Sequence, residues 1–141
     1  MDQYLQFANA HPLLMAVLAL SLLAIIANEV HGSMTGGKKL SAPEAVRLIN
    51  DRDARVVDVR PAADFKKGHL LGAVNIPNDK LKTRLSELER DKSKPVIVYC
   101  ALGGTASEAA KTLRAAGFAE ALPLRGGLNA WLAANLPVTA K

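Results

Sequence analysis

Cysteine is nearly absent from this chain: Cys100 is the only one in 141 residues. A single thiol excludes an internal disulfide, and no Cys/His spacing suits zinc. No metal and no cofactor are therefore expected, and a thiol without a disulfide partner fits a reducing compartment. Aromatic residues are also scarce, at 4%. Positive charge is missing from the first quarter of the chain. All 18 Lys and Arg stand at or after Lys38, against 11 of the 13 acidic residues, since Asp2 and Glu29 come earlier. The surplus of 7 from Lys38 onward is scattered and no aromatic residues alternate with it, so no nucleic-acid partner is expected. A solvated surface, or one beside an anionic membrane leaflet, accounts for it more simply.

From Gln3 to Asn28 there is no Asp, Glu, Lys or Arg at all. The most apolar part, Leu13–Ala27, is about 22 Å long as a helix. A helix from Pro12 to about Glu29 reaches about 27 Å, close to the roughly 30 Å of a bilayer core, and one carried back to Tyr4 is more than long enough. A signal peptide needs basic residues before its apolar run and a small-x-small cleavage site after it. Asp2 and Gln3 precede this run, and Ile25-Ile26-Ala27-Asn28-Glu29 is a poor site. The stretch reads as a membrane anchor over residues 1–30, with its span at about 12–29. Lys38 and Lys39 follow it, which places the carboxyl-terminal part in the cytoplasm under the positive-inside rule. Residues 31–39, with Gly32, Gly36 and Gly37, read as a flexible linker.

Residues 40–141 alternate between strand and helix patterns. Ser41-Ala42-Pro43-Glu44 is a capping box opening a helix to about Ile49. Arg55–Val59 reads as a buried strand, Ala62–Lys67 as a short helix and Ala73–Ile76 as a strand stopped by Pro77. Leu81, Leu85 and Leu88 repeat at helical spacing. Pro95–Tyr99 is an apolar strand, Glu120–Leu124 another, and Leu128–Ala134 a last helix. This alternation predicts an α/β domain with a mostly parallel sheet covered on both faces.

Cys100 ends the Pro95–Tyr99 strand. The small residues Ala101, Leu102, Gly103, Gly104 and Thr105 then lead into an Ala-rich helix, with Gly117 at the C′ position. A helix start carries unpaired N–H groups and a partial positive charge, and successive loop amides can converge on an anion. A thiol at that rim is set up as a nucleophile without a partner base. Read in isolation, a lone Cys is as readily a small buried hydrophobe. Its position at the carboxyl end of a strand is where α/β folds bind ligands.

Along Leu40–Pro137 the chain resembles a rhodanese-like domain. Asp58-Val59-Arg60 matches that family's aspartate-x-arginine, and Phe65, Gly68-His69, Gly72-Ala73 and Asn75-Ile76-Pro77 match its following motifs. Cys100 stands at the place of the persulfide-forming cysteine, and Gly126-Gly127 with Ala130-Trp131 match the closing glycines and tryptophan. One span followed by one such domain is similar to membrane-anchored single-domain rhodaneses of bacteria. The resemblance implies a five-stranded parallel sheet flanked by helices. It also implies a sulfurtransferase cycle: Cys100 as catalytic nucleophile, a persulfide held by Ala101–Thr105, and a small-molecule or protein persulfide or thiol as partner. Arg60 is a candidate for substrate contact, although a structural ion pair with Asp58 is the simpler reading. His69 and Trp131 read as structural.

Two departures bear on activity. Thr105 stands where many members carry an arginine, a feature shared with some thiosulfate sulfurtransferases. Those carry basic residues just after the cysteine, where this chain has Ala101 and Leu102. A dianionic donor therefore loses charge-assisted hydrogen bonds, which favours a persulfide over thiosulfate. Phosphatases of related fold need an arginine where Ala106 stands, so phosphate transfer is disfavoured. The alternative from another class is a membrane-tethered interaction module, docking with a membrane-protein partner through the span.

Overall fold

The computed structural model describes residues 1–140, with backbone only for residues 32–36 and 91. The chain divides into two units, residues 1–37 and 38–141.

The first unit contains two helices, α1 (Asp2–Ala10) and α2 (Pro12–Gly36). They are separated at His11, whose backbone (φ −128°, ψ 57°) is not helical. The cause is Pro12, whose ring disfavours the helical region for the residue before it, while Pro12 itself suits a first helical turn. The anchor helix therefore does not run back to Tyr4. At its other end it passes the expected stop near Glu29, continues through much of the expected linker and ends at Gly36. Extending a formed helix adds one hydrogen bond per residue fixed. Gly37, at φ +67°, stands at the end of it. Pro12–His31 has a mean hydropathy of 2.3 and its side chains are unburied, so it is long and apolar enough to cross a membrane. The hydroxyl of Ser21 donates to Leu18 O at 2.8 Å, which satisfies it within the helix.

The second unit is an α/β layer structure. Helix α3 (Ala42–Arg52) starts at the predicted capping box: Ser41 and Glu44 cap each other reciprocally, and the Ser41 bonds hold the Glu44 carboxyl below its usual range. Strand β1 (Arg55–Asp58), helix α4 (Ala62–Lys67), β2 (His69–Leu70) and β3 (Val74–Asn75) follow. Then come β4 (Val96–Tyr99), α5 (Gly104–Ala115), β5 (Ala121–Pro123), α6 (Gly127–Ala133) and β6 (Val138–Thr139). The main sheet is parallel, in the order β3-β1-β4-β5. Its fifth position is filled by Leu40 alone, which bridges Leu124 in parallel. Strands β2 and β6 form a separate antiparallel pair that the sequence pattern does not signal, since two residues are too few to show a period.

Side-chain alternation along β1 and β4 builds two cores. Val57, Val96, Val98 and Cys100 point to one face, against Ala106, Ala109, Ala110 and Leu113 of α5. Val56, Ile97 and Tyr99 point to the other, against Ala45 of α3 and Trp131 of α6. Small alanines let α5 lie close to the strand that carries the thiol. Its carboxyl end is closed by Gly117 (φ +95°), with Phe118 N–H donating to Leu113 O and Gly117 N–H to Arg114 O. The Leu81, Leu85 and Leu88 repeat forms short 3₁₀ turns rather than an α-helix, and these still bury Leu81 and Leu88 in the first core.

Candidate active site

Strand β4 is buried at all four residues and delivers Cys100 to the carboxyl edge of the sheet. The thiol is free and 5% exposed. Gly103 N–H donates to its Sγ at 3.0 Å. That geometry needs Gly103 at φ +107°, and a Cβ there would sit 3.2 Å from Gly126 N. Ser107 ties the turn down from inside α5, its N–H and hydroxyl both donating to Gly103 O.

The loop is held from behind by α6. Leu128 N–H donates to Cys100 O at 2.8 Å and Asn129 N–H to Ala101 O at 3.2 Å. Two of the unpaired donors at the start of α6 are thus satisfied by the loop carbonyls. The same bonds fix the first carbonyls of the loop on α6. Gly127 makes this approach possible, since a Cβ there would lie 2.7 Å from Ala101 O and closer still to Cys100 O. The sequence reading missed this clamp, because Gly126-Gly127 is legible only as a pair of glycines before a helix.

In front of the thiol lies a cleft of about 960 Å³. Cys100, Ala101, Leu102, Gly104 and Thr105 line one side, and Val59–Ala62 with Pro77–Lys80 line the other. Of the residues predicted from sequence, all but Gly103 line this cleft, and Gly103 touches the sulfur directly. Apart from Arg60, the second wall is the part the sequence reading left out. It is tied together by Asn78 N–H donating to Val59 O and by the Asn75 amide donating to Asp58 O and Arg60 O. A separate depression of about 740 Å³, at Ile49, Arg55, Leu71 and Val74, does not include the thiol.

Arg60 is bound at several points. Its Nε and Nη2 grip Asp58, with Nη2 to Oδ2 at 2.6 Å, and Nη2 also donates to Gly68 O. The pair is buried, and the guanidinium lies 5.7 Å from the centre of the Tyr99 ring. Burial works against the charge on Arg60, but the bonds to Asp58 outweigh it and raise its pKa. Burial likewise pushes the Tyr99 phenol far above its ordinary value. Arg60 therefore orders the cleft wall through Asp58. His69 stacks on Phe65 at 3.7 Å with Nδ1 on Phe65 O, and Trp131 donates to Pro137 O, so both serve packing.

The rhodanese-like domain family matches residues 41–134. The chain belongs to the rhodanese-like domain family. The uncharacterized protein YibN of Escherichia coli strain K12 is 37% identical over 139 residues, covering 98% of this chain and 97% of that one. A thiosulfate sulfurtransferase, GlpE, of Shewanella oneidensis is 32% identical over 102 residues, covering 72% of this chain and 99% of that one. Among solved structures, a rhodanese-related protein from Thermoplasma volcanium is similar with a TM-score of 0.65 and 27% identity, covering 74% of this chain and 99% of that one. Rhodanese membership thus bears out the family and α/β fold read from the sequence.

Proposed function

We propose that this rhodanese-like protein is a sulfurtransferase, passing sulfane sulfur through a Cys100 persulfide to a thiol or cyanide acceptor. The observation that carries the proposal is the setting of the thiol: a nucleophile at a cleft, with Gly103 N–H on its sulfur and the neighbouring carbonyls bound to α6. In the first step the Cys100 thiolate attacks the outer sulfur of a donor, and the remainder of the donor leaves with the bonding pair. In the second step an acceptor takes that sulfur and the pair returns to Sγ. Splitting one transfer into two is nucleophilic covalent catalysis. The sulfurtransferase relatives support the same reading.

Donor choice follows from charge. Ala101 and Leu102 offer no cation beside the sulfur, Arg60 is committed to Asp58, and Lys80 on the opposite wall is offset by Asp64 and Asp79 in the same lining. Incubation with a donor, followed by intact-mass measurement, tests the chemistry. A gain of one sulfur atom on Cys100 is expected, roughly tenfold faster from a small-molecule persulfide than from thiosulfate. An unchanged mass with both donors overturns the reading.

The anchor gives the reaction a place. Helix α2 lies in the inner membrane of a bacterial cell and, with Lys38 and Lys39 following, the domain lies in the cytoplasm. Tethering raises the effective concentration of membrane-bound partners at the cleft. Protease added to spheroplasts is expected to spare the domain. Its removal from outside would place the domain on the opposite face. The alternative reading is a membrane-tethered interaction module with little turnover. Leu102, 72% exposed beside the thiol, favours it, and the mass measurement separates the two.

A further inference from the structure

The cleft at Cys100 does not stand alone. A second depression of about 420 Å³ shares Arg60, Asp64 and Ala101 with it as a common ridge. Leu128, Leu132 and Val138 give it an apolar patch, with Asn129 and Lys67 also in the lining. Leu132 is 47% exposed and Val138 40% exposed, while Leu102 stands out at the rim of the first cleft. Exposed apolar residues grouped around a reactive group mark a binding surface more often than scattered ones do. Ala101, on the ridge, is small, and Arg60 beside it is held on Asp58 and Gly68, so a chain can cross from one depression to the other over Ala101.

We propose that the sulfur partner of this protein is a cysteine within a polypeptide, bound with an apolar side chain of the same segment seated among Leu128, Leu132 and Val138. The inference rests on the sulfur-transfer reading and names its partner class. The occupant must carry a thiol because the groove leads to Cys100, and it must be longer than a single amino acid because one side chain cannot fill both depressions. Fully burying a leucine side chain favours binding enough to be read as roughly a tenfold gain or more. In the step itself, the partner's thiolate attacks the outer sulfur of Cys100–S–SH. The bond from that sulfur to Sγ breaks, the electron pair stays on Sγ, the proton stays on the transferred sulfur, and the partner leaves as R–S–SH.

The test uses the full-length protein in detergent, loaded at Cys100 by a small-molecule persulfide. Acceptors are capped synthetic peptides with one Cys and either Leu or Ala two to four residues away, with free cysteine for comparison. Leu peptides are expected to exceed Ala peptides by roughly tenfold in kcat/KM. That advantage should disappear in Leu132→Ser/Val138→Ser and in Leu132→Asn alone, while transfer to free cysteine is retained. Equal rates for Leu and Ala peptides, or an advantage that survives both variants, overturn the proposal. The same peptides with Ser for Cys report the groove without chemistry, by fluorescence polarisation. If Cys100 never gains sulfur but Leu peptides still bind better, sulfur transfer fails and the groove stands. If Cys100 gains sulfur but the peptides do not differ, the groove alone fails.

Discussion

Cys100→Ser is expected to reduce sulfur transfer to cyanide to background, a loss on the order of a thousandfold or more, because covalent capture is removed outright. A hydroxyl cannot accept sulfur to form a persulfide, and the sequence contains no second thiol to substitute. The side chain is nearly isosteric, and Gly103 N–H can still donate to an oxygen at that place. The thermal midpoint should therefore shift little, by an amount equivalent to about 1 kcal/mol. The assay is thiocyanate formation from a persulfide donor, with the melting curve measured on the same sample. Turnover in the Ser variant would show that the sulfur is not carried on Cys100.

The second large effect is expected at a residue that does not line the cleft. Gly127→Ala should lower kcat/KM by about a hundredfold and destabilise the domain by about 3 kcal/mol, since positive φ and overpacking each cost of that order. Gly127 has φ +58°, and the added Cβ would meet both loop carbonyls that α6 holds. The loop must then move off α6, which releases the bonds from Leu128 and Asn129 and misplaces the Gly103 amide at the sulfur. Gly68→Ala is the control. Its backbone is extended and a Cβ there meets nothing within 4 Å, so activity and melting should hardly change. If Gly127→Ala melts and turns over like the control, the α6 clamp does not position the nucleophile.

Much of this was legible in the sequence because its causes are local. The capping box at Ser41, the buried runs of β1 and β4, the helical spacing of Ala106, Ala109, Ala110 and Leu113, and Gly117 after them each depend on residues a few positions apart. The start of α2 at Pro12 is equally local, because a proline suits a first helical turn and steers the residue before it out of the helical region. The Leu81–Leu88 segment differs. Its spacing suits burial of one face, and 3₁₀ turns achieve that burial as well as an α-helix does.

By itself the sequence determined the order of elements, the apolar span, the parallel α/β architecture and the one thiol. Tertiary structure alone decided what surrounds that thiol. The wall from Pro77 to Lys80 and the clamp from α6 come from chain segments twenty or more residues from Cys100 on either side. Arg60 lines the cleft but is committed to Asp58 and Gly68, so its charge serves the wall. Such pairings arise when a parallel sheet brings distant strand ends to one edge, and no local periodicity encodes which loops will meet there. Backbone hydrogen bonds add to the difficulty, because Leu128 and Asn129 orient the Cys100 loop with main-chain N–H groups that nearly every residue possesses.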